Sequence, residues 1–160
     1  EYQQWIEHME QPLVAISRMK KPVIAQVHGV AAANGMGLVA AADLAIAATN
    51  TKMGLTAINV GLNCVGPIIP VARCVGRKKA LELLLYGELI KAPEAQALGL
   101  LNRVVDKEVL ETEARWKEEA ESSFSLVVLL SRPLYSSKTI CPFLATRMPP
   151  LNRVGRRVVR

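Results

Sequence analysis

The sequence predicts an α/β fold in which short parallel strands are joined by helices. Residues 22–27 form an apolar run of strand length, and residues 44–48 form a second one. Between them lie a glycine-containing crossing at 29–37 and a segment rich in Ala and Leu that suits a buried helix ending near 42. A strand, a helix and a second strand in this order form a compact crossover unit, which joins parallel strands.

The residues before this unit, 1–19, have the pattern of an amphipathic helix. Trp5, Met9, Leu13 and Ile16 share one face at helical spacing. We expect Pro12 to break or restart the helix, Trp5 to pack in the core, and His8, which lies among polar neighbours, to be solvated.

The middle of the chain predicts short elements that end at glycines. We expect a turn at 49–56, a short strand at 58–62, and a loop that leads into a helix at 68–75 with Pro67 at its start and Gly76 at its end. A helix at 78–86 follows, with Ala80, Leu81, Leu84 and Leu85 as its apolar face and Gly87 as its stop.

The last regular elements are a short helix at 92–99, a closing strand at 100–105 and a charged amphipathic helix at 108–122. Residues 139–160 contain Pro142, Pro149 and Pro150 and no periodic apolar pattern, so we expect disorder there. The sequence therefore predicts a domain at 1–122, followed at 123–160 by a C-terminal helical segment and a basic, disordered tail.

The composition fits one domain with an aliphatic core. The chain has 160 residues, of which 51% are hydrophobic and only 4% aromatic. No apolar run is long enough for a membrane span, and the acidic N-terminus is not a signal peptide. The first residue is not Met, and we expect the chain to begin inside a larger protein.

Cysteine and histidine usage argues against a metal site. Cys64, Cys74 and Cys141 are widely spaced, no C-x-x-C motif occurs, and only two His are present. We expect free thiols in a reducing compartment.

The formal net charge of +6 belongs to the tail. Seven basic residues and no acidic residue follow Glu121, so residues 1–121 carry a net charge of −1. A basic tail can bind acidic surfaces non-specifically, but no interleaved aromatic residues indicate a specific nucleic-acid surface.

The glycines at the start of the first crossover helix allow several interpretations. Small residues there permit close packing of a helix on a sheet, and a loop that leads into a helix also leaves backbone N–H groups free for an anion or oxyanion. Gly35, Gly37 and Ala40 fit the dinucleotide pattern G-x-G-x-x-A. That pattern should begin directly at the strand end and be followed by an acidic ribose contact, and both are missing here.

Several segments, in the right order, resemble the crotonase (enoyl-CoA hydratase/isomerase) superfamily. They are KPVIA at 21–25, His28-Gly29, the stretch 34–37, Asp43, INVGL at 58–62, VGRKKA at 75–80, Gly87, APEA at 92–95 and GLLNRVV at 99–105. The resemblance implies the C-terminal portion of a crotonase-like spiral of strand-strand-helix repeats, N-terminally incomplete, with C-terminal helices. It also implies a homo-trimer or hexamer that binds acyl-CoA thioesters, with no cofactor beyond the coenzyme A of the substrate.

The resemblance also implies the site residues. The family stabilises an enolate with two backbone N–H groups, and the glycine that provides one of them matches Asn34. The substrate-binding positions are then Val30, Ala33, Asn34, Ala57, Asn63 and Cys64. The other N–H donor belongs to a loop upstream of this chain's first residues.

Two departures from the family pattern concern catalysis. The two glutamates that activate water in family hydratases match Gly37 and Ala57, which cannot transfer protons. The nearby Asp43 is expected to be structural, and Cys64 has no activating His or cation in the sequence around it.

The sequence alone is therefore compatible with three functions. The chain is an acyl-CoA enzyme of this family with other acid–base groups, a catalytically silent fragment or pseudoenzyme that binds acyl-CoA or family subunits, or a nucleotide- or nucleic-acid-binding module. A frameshift or truncation would explain the acid-free tail. The expected location is cytoplasmic, or the mitochondrial matrix if the source is eukaryotic.

Overall fold

The computed structural model describes residues 2–119 and 126–130, with side-chain burial for residues 3–114. The helices are α1 Tyr2–Ser17, α2 Asn34–Ala41, α3 Val65–Val75, α4 Arg77–Tyr86, α5 Ala92–Ala97 and α6 Leu110–Glu119, with a 3₁₀ helix, η1, at Thr56–Val60. The strands are β1 Val23–Val27, β2 Val30–Ala32, β3 Leu44–Ala48, β4 Lys52–Gly54, β5 Ile90–Lys91, β6 Arg103–Val105 and β7 Leu126–Leu130.

The strands form two sheets. The larger has the order β6-β3-β1-β7, and all of its pairings are parallel. The smaller has the order β2-β4-β5, with β2 and β4 parallel and β4 and β5 antiparallel. The predicted parallel crossover is confirmed. The strands β1 and β3 are neighbours in the sheet, with Ile24 opposite Leu44, and α2 lies between them in the sequence.

The core lies between the sheets and helices α2 to α5. Every residue of β1 is buried, including Gln26, as expected for a parallel strand covered on both faces. In α2 six of the eight residues are buried, because small side chains let the helix approach its neighbours closely. Many alanines are buried throughout the core, where their small side chains allow the same close approach.

Three predictions about individual elements were wrong. Pro12 lies inside α1 without breaking it, because the helix is on the surface and the carbonyl group that loses its partner belongs to the exposed residue His8. Residues 56–60 form η1 rather than a strand, and the predicted turn at 49–56 contains the strand β4. The strand β4 depends on tertiary contacts, since it pairs with β2 and β5.

The burial of some side chains also differs from the predictions. Trp5 is 43% exposed, because only the later part of its helical face, ending at Ile16, reaches the core. On α4 the buried residues are Ala80, Leu83 and Leu84, whereas Leu85 is 64% exposed, so the apolar face is rotated from the predicted one. His8 is exposed, as predicted.

The predicted helical segment after residue 122 is wrong over 126–130. These residues form β7, which pairs in parallel with all five residues of β1. The run Leu126–Leu130 contains two Val and three Leu, and a fully buried strand alongside it provides the pairing partner. The rest of 120–160, with Cys141 and the predicted disordered tail, lies outside the described residues. Within the described residues, no helix is long and apolar enough to cross a bilayer.

Candidate functional site

The start of α2 is the centre of the candidate site. Val30 lies half-buried on β2, and the Ala33 amide N donates to the Gly54 carbonyl O at 2.8 Å, which continues the pairing of β2 with β4. This bond places Ala33 as the N-cap of α2 with φ 51° and ψ −115°. Among the described residues, Ala33 is the one non-glycine residue with positive φ. Such a backbone costs about 1–3 kcal/mol and persists only where surrounding contacts impose it.

Asn34 is the first residue of α2. Helix geometry provides no intrahelical acceptor for its N–H, since the first acceptor available, the Ala33 carbonyl, bonds the Gly37 N–H at 3.2 Å. The Asn34 side chain does not point at the same target as this amide, because its Nδ2 donates to the Met9 carbonyl O at 3.3 Å on α1. The extra side chain relative to glycine is therefore held by α1.

The second group of predicted residues lies around η1 and the start of α3. Ala57 is half-buried on η1, and its carbonyl O accepts the Leu62 N–H at 3.0 Å. Cys64 is the buried N-cap residue of α3, and Asn63 beside it is exposed. Cys64 belongs to the main hydrophobic core, and Ala33 and Ala57 pack against that core. Of these three, Cys64 and Ala57 are in contact, since the thiol makes a hydrogen bond with the Ala57 backbone.

The Cys64 thiol is not activated. Burial raises its pKa, and a hydrogen bond with the Ala57 backbone lowers it by less. A raised pKa means less thiolate at neutral pH, and the thiolate is the nucleophilic form. Cys64 therefore fits a packed core thiol.

Gly37, the position that matches the first family glutamate, is a point of close helix contact. A Cβ built on Gly37 would lie 2.8 Å from the Pro67 Cβ and 3.0 Å from the Pro67 Cα. Real Cβ atoms essentially never approach another atom as closely as 2.8 Å, and the Pro67 ring is rigid, so a side chain at position 37 requires α2 or α3 to shift. Gly35 and Gly37 lie inside α2 rather than in a strand-to-helix turn, unlike the glycines of the dinucleotide pattern.

Asp43 has the structural role that the sequence predicts. Its Oδ2 accepts the Val23 N–H at 2.7 Å at the start of β1. It follows the C-terminal end of α2, and an eight-residue helix is about 12 Å long. Asp43 is therefore remote from the Asn34 amide.

Sequence reasoning missed one carboxylate. A Cβ built on Gly66 would lie 3.4 Å from the Oε1 of Glu10, so this side chain of α1 rests on the first turn of α3. Glu10 follows Met9, whose carbonyl O holds the Asn34 side chain. No local pattern indicates this, because Glu10 is one of several polar residues on the exposed side of α1.

A separate cavity of about 120 Å³ lies between α4 and β5. It is lined by Lys79, Glu82, Leu83, Tyr86, Glu88, Leu89, Ile90 and Glu94, and none of the predicted site residues is among them. Lys79 in this cavity is paired with Glu82 at 2.7 Å. Among the residues that the structure describes, no cluster of His, Cys, Asp and Glu could hold a metal ion.

Comparison with known proteins identifies related sequences and folds. Residues 1–129 match the enoyl-CoA hydratase/isomerase family. The chain is 44% identical over 115 residues to the human protein named "Enoyl-CoA hydratase domain-containing protein 3, mitochondrial". The matched segment covers 72% of this chain and 36% of the human protein. It is 38% identical over 105 residues to a putative enoyl-CoA hydratase of Thermus thermophilus, covering 64% of this chain and 42% of that protein.

Solved structures of enoyl-CoA hydratases and of the human relative superpose on this chain. The crystal structure of an enoyl-CoA hydratase from Mycobacterium smegmatis superposes with a TM-score of 0.72 at 41% identity, covering 74% of this chain and 46% of that one. The crystal structure of the human relative gives a TM-score of 0.69 at 38% identity, covering 72% and 46%. The chain thus spans less than half the length of these relatives, and its α/β fold is part of a crotonase domain.

Proposed function

The chain belongs to the enoyl-CoA hydratase/isomerase family, and on that premise we propose that it binds acyl-CoA thioesters at the start of α2. The observation that carries this proposal is the Asn34 backbone N–H, which has no acceptor within its helix. In the proposed complex this N–H donates to the thioester carbonyl O. Val30, Ala33, Ala57, Asn63 and Cys64 would line the acyl group and the thioester.

The chemistry that this donor supports is enolate formation. Removing a proton next to a thioester moves negative charge onto the carbonyl oxygen, and a preorganised donor lowers the energy of that state. The positive end of the α2 dipole acts in the same direction. The family resemblance implies a second backbone N–H donor, and the two donors together would form the oxyanion hole.

Standard hydration is not part of this proposal. The two positions that match the family glutamates are Gly37 and Ala57, and neither has a group that transfers protons. Each general acid or base contributes about 10²–10⁴-fold to a rate. The close contact of Gly37 with Pro67 supports this view, since the space next to it is filled by the proline ring.

A second candidate function is a catalytically inactive fragment or pseudoenzyme that associates with family subunits or with itself as a trimer or hexamer. The observation that favours it is a row of exposed apolar side chains along the chain from η1 to α3: Ile58, Val60, Leu62, Val65 and Ile69 are 41–63% exposed. Several exposed apolar side chains close together in the chain favour an interaction site.

Other features of the function follow from the family and its names. We propose no cofactor other than the coenzyme A of the substrate, and a role in fatty acid metabolism with a lyase- or isomerase-type reaction. The human relative is named mitochondrial. This supports the mitochondrial matrix if the source is eukaryotic, and the cytoplasm otherwise.

Calorimetric titration with matched ligands tests acyl-CoA binding. The protein is titrated with a saturated acyl-CoA, with its S-alkyl thioether analogue of equal length, and with free CoA. We expect saturable binding of the thioester and about 2–10-fold weaker binding of the thioether, which lacks the carbonyl oxygen, because one hydrogen bond contributes about 0.5–1.5 kcal/mol. Equal affinities for thioester and thioether would contradict the role of the Asn34 amide.

Sedimentation tests the second candidate. If the η1–α3 row forms a subunit interface, Val65→Asp should shift the protein toward the monomer, whereas Val109→Asp, a change of an exposed apolar residue on another surface, should not. A wild-type protein that stays monomeric at all concentrations and in the presence of a family trimer would rule this candidate out.

A further inference from the structure

The side chain of Asn34 ties the start of α2 to α1. Asn34 is half-buried, and its Nδ2 donates to the Met9 carbonyl O at 3.3 Å. Met9 lies in the part of α1 where Pro12 removes the N–H that would bond the His8 carbonyl. A carbonyl oxygen has two lone pairs, so the Met9 carbonyl can accept the Asn34 amide from outside its own helix.

The direction of the Asn34 backbone N–H is determined by the peptide group that it shares with Ala33. This peptide bond is trans, so the Ala33 C=O and the Asn34 N–H point in opposite directions. The Ala33 carbonyl O accepts the Gly37 N–H at 3.2 Å within α2. The Asn34 N–H therefore points out of the N-terminal end of the helix.

This peptide group needs support from its surroundings, because Ala33 is strained. Its φ of 51° and ψ of −115° suit glycine rather than alanine, and such a backbone persists only where neighbouring contacts impose it. One contact is the bond from the Ala33 N–H to the Gly54 carbonyl O at 2.8 Å, which holds the β2 side. The bond from the Asn34 side chain to Met9 is a second contact, and it holds the α2 side.

We propose that the Asn34 side chain is a positioning group, which holds the strained peptide between residues 33 and 34 so that the Asn34 N–H is aimed at the thioester carbonyl O. This inference rests on the proposed binding of acyl-CoA at Asn34. It assigns a role to the side chain that distinguishes Asn34 from the glycine at the matching position of the family.

The alternative is a purely structural role, in which the side chain only ties α1 to α2. In that case its removal would lower the stability of the protein and leave the hydrogen bond to a bound thioester unchanged. A measurement on the ligand carbonyl separates the two roles, because a hydrogen bond to that oxygen lowers the stretching frequency of the C=O bond.

The experiment is infrared difference spectroscopy of bound butyryl-CoA with an isotope label in the thioester carbonyl. Calorimetry with butyryl-CoA and with S-butyl-CoA, the matching thioether, measures the preference for the carbonyl oxygen. Circular dichroism and urea unfolding report the folding of each variant.

Two variants remove the positioning bond, and one variant is the matched control. Asn34→Ala removes the side-chain donor and keeps the backbone N–H. Asn34→Ser has a hydroxyl group too short to reach the Met9 carbonyl, and it decides the test if Asn34→Ala does not fold. The control is Asn102→Ala, which removes another bond between an asparagine side chain and a distant backbone group, from the Ala45 N–H to the Asn102 Oδ1 at 2.7 Å. That bond lies at the start of β3, beyond the opposite end of α2.

A double variant tests the strain itself. In Ala33→Gly/Asn34→Ala, glycine adopts the required backbone without strain. The direction of the N–H should then be restored although the Asn34 amide is missing.

We expect the wild type, Asn102→Ala and the double variant to lower the frequency of the bound carbonyl, and Asn34→Ala and Asn34→Ser to lose most of this shift. In these two variants the preference for the thioester should fall from about 2–10-fold to less than about twofold, with the affinity for the thioether unchanged.

Other outcomes would overturn the positioning role. A wild-type shift in both Asn34 variants would do so and leave the binding at Asn34 intact, and a loss of the shift in Asn102→Ala as well would assign the effect to lowered stability. A double variant that does not regain the shift would contradict strain at Ala33 as the cause. Binding by the wild type without a shift, or no binding, would overturn both this inference and the proposed function.

Discussion

The Cα of Gly37 in α2 lies against the pyrrolidine ring of Pro67 in α3, so that an added Cβ would stand 2.8 Å from the Pro67 Cβ. This contact determines how closely the two helices approach. It also explains in packing terms why a residue without a side chain occupies a position that matches a family glutamate. In this chain the position belongs to the core between α2 and α3.

Gly37→Ala should therefore destabilise the protein. The methyl group must displace Pro67, including its backbone, and overpacking of this kind costs about 1–3 kcal/mol. The midpoint of urea unfolding measures the change. Gly37→Glu should be at least as destabilising and should not restore hydration of an enoyl-CoA, because its side chain has no space beside Pro67.

Gly35→Ala is the matched control for this prediction. A Cβ on Gly35 would lie 3.8 Å from the Ala31 Cβ, an ordinary contact, and the residue has an ordinary helical backbone. Alanine is better than glycine in a helix by about 0.5–1 kcal/mol. A stable Gly37→Ala together with an unstable Gly35→Ala would show that the packing of α2 differs from the one described.

The sequence predicts elements best where their pattern is local. The apolar runs of β1 and β3, the small residues of α2, and the glycines that end α3 and α4 are readable from neighbours in the chain. The strands β2 and β4 have three residues each and exist because they pair with each other, with Ala31 opposite Met53. A pattern of three residues carries too little information to predict this.

The residues of the candidate site divide in the same way, into those that a local sequence pattern indicates and those whose position depends on tertiary contacts. Asn34 was found through a motif, and the structural role of Asp43 was predicted from its place before β3 and is confirmed by its bond to the Val23 amide. Glu10 was missed, since its position against Gly66 depends on how α1 packs on α3. A contact between distant parts of the chain leaves no local pattern from which it could be predicted in a single sequence.

Ala33→Gly should stabilise the protein. Ala33 adopts φ 51° and ψ −115°, a region that suits glycine and strains alanine. Glycine is also acceptable as an N-cap residue. We expect a gain of about 0.5–1 kcal/mol in the free energy of unfolding, since the relief of strain of about 1–3 kcal/mol is partly offset by the greater freedom of the unfolded chain.

Ala32→Gly is the control for strain at this position. Ala32 is half-buried at the end of β2 with an ordinary backbone, so glycine should lower the stability there by about 0.5–1 kcal/mol. Equal losses at 32 and 33 in denaturant unfolding would contradict the strained conformation of Ala33.

Asn59 should hold η1, and with it Ala57, in place. Its Nδ2 donates to the Gly87 carbonyl O at 2.9 Å, where α4 ends in a left-handed residue with φ 64°. Asn59→Ala should cost about 0.5–1.5 kcal/mol of stability, measured by thermal or urea unfolding. Asn63→Ala changes an exposed amide in the following loop and should leave the stability within about 0.5 kcal/mol. Equal effects of the two variants would contradict this role for Asn59.

The two described cysteines should react slowly with alkylating reagents, and the reaction should accelerate with pH. Burial raises the pKa of Cys74, and burial raises the pKa of Cys64 more than its backbone hydrogen bond lowers it. A raised pKa reduces the thiolate fraction at every pH below it. The alkylation rate at about pH 7–8 should therefore be lower than that of a short cysteine peptide. It should also continue to rise at pH values where the rate of the peptide has levelled off. Site-resolved mass spectrometry after iodoacetamide treatment measures the rate at each cysteine, with urea-unfolded protein as the reference for full exposure. If Cys64 reacts faster than the peptide at neutral pH, its thiol is activated, and it then has to be considered as a nucleophile of the site.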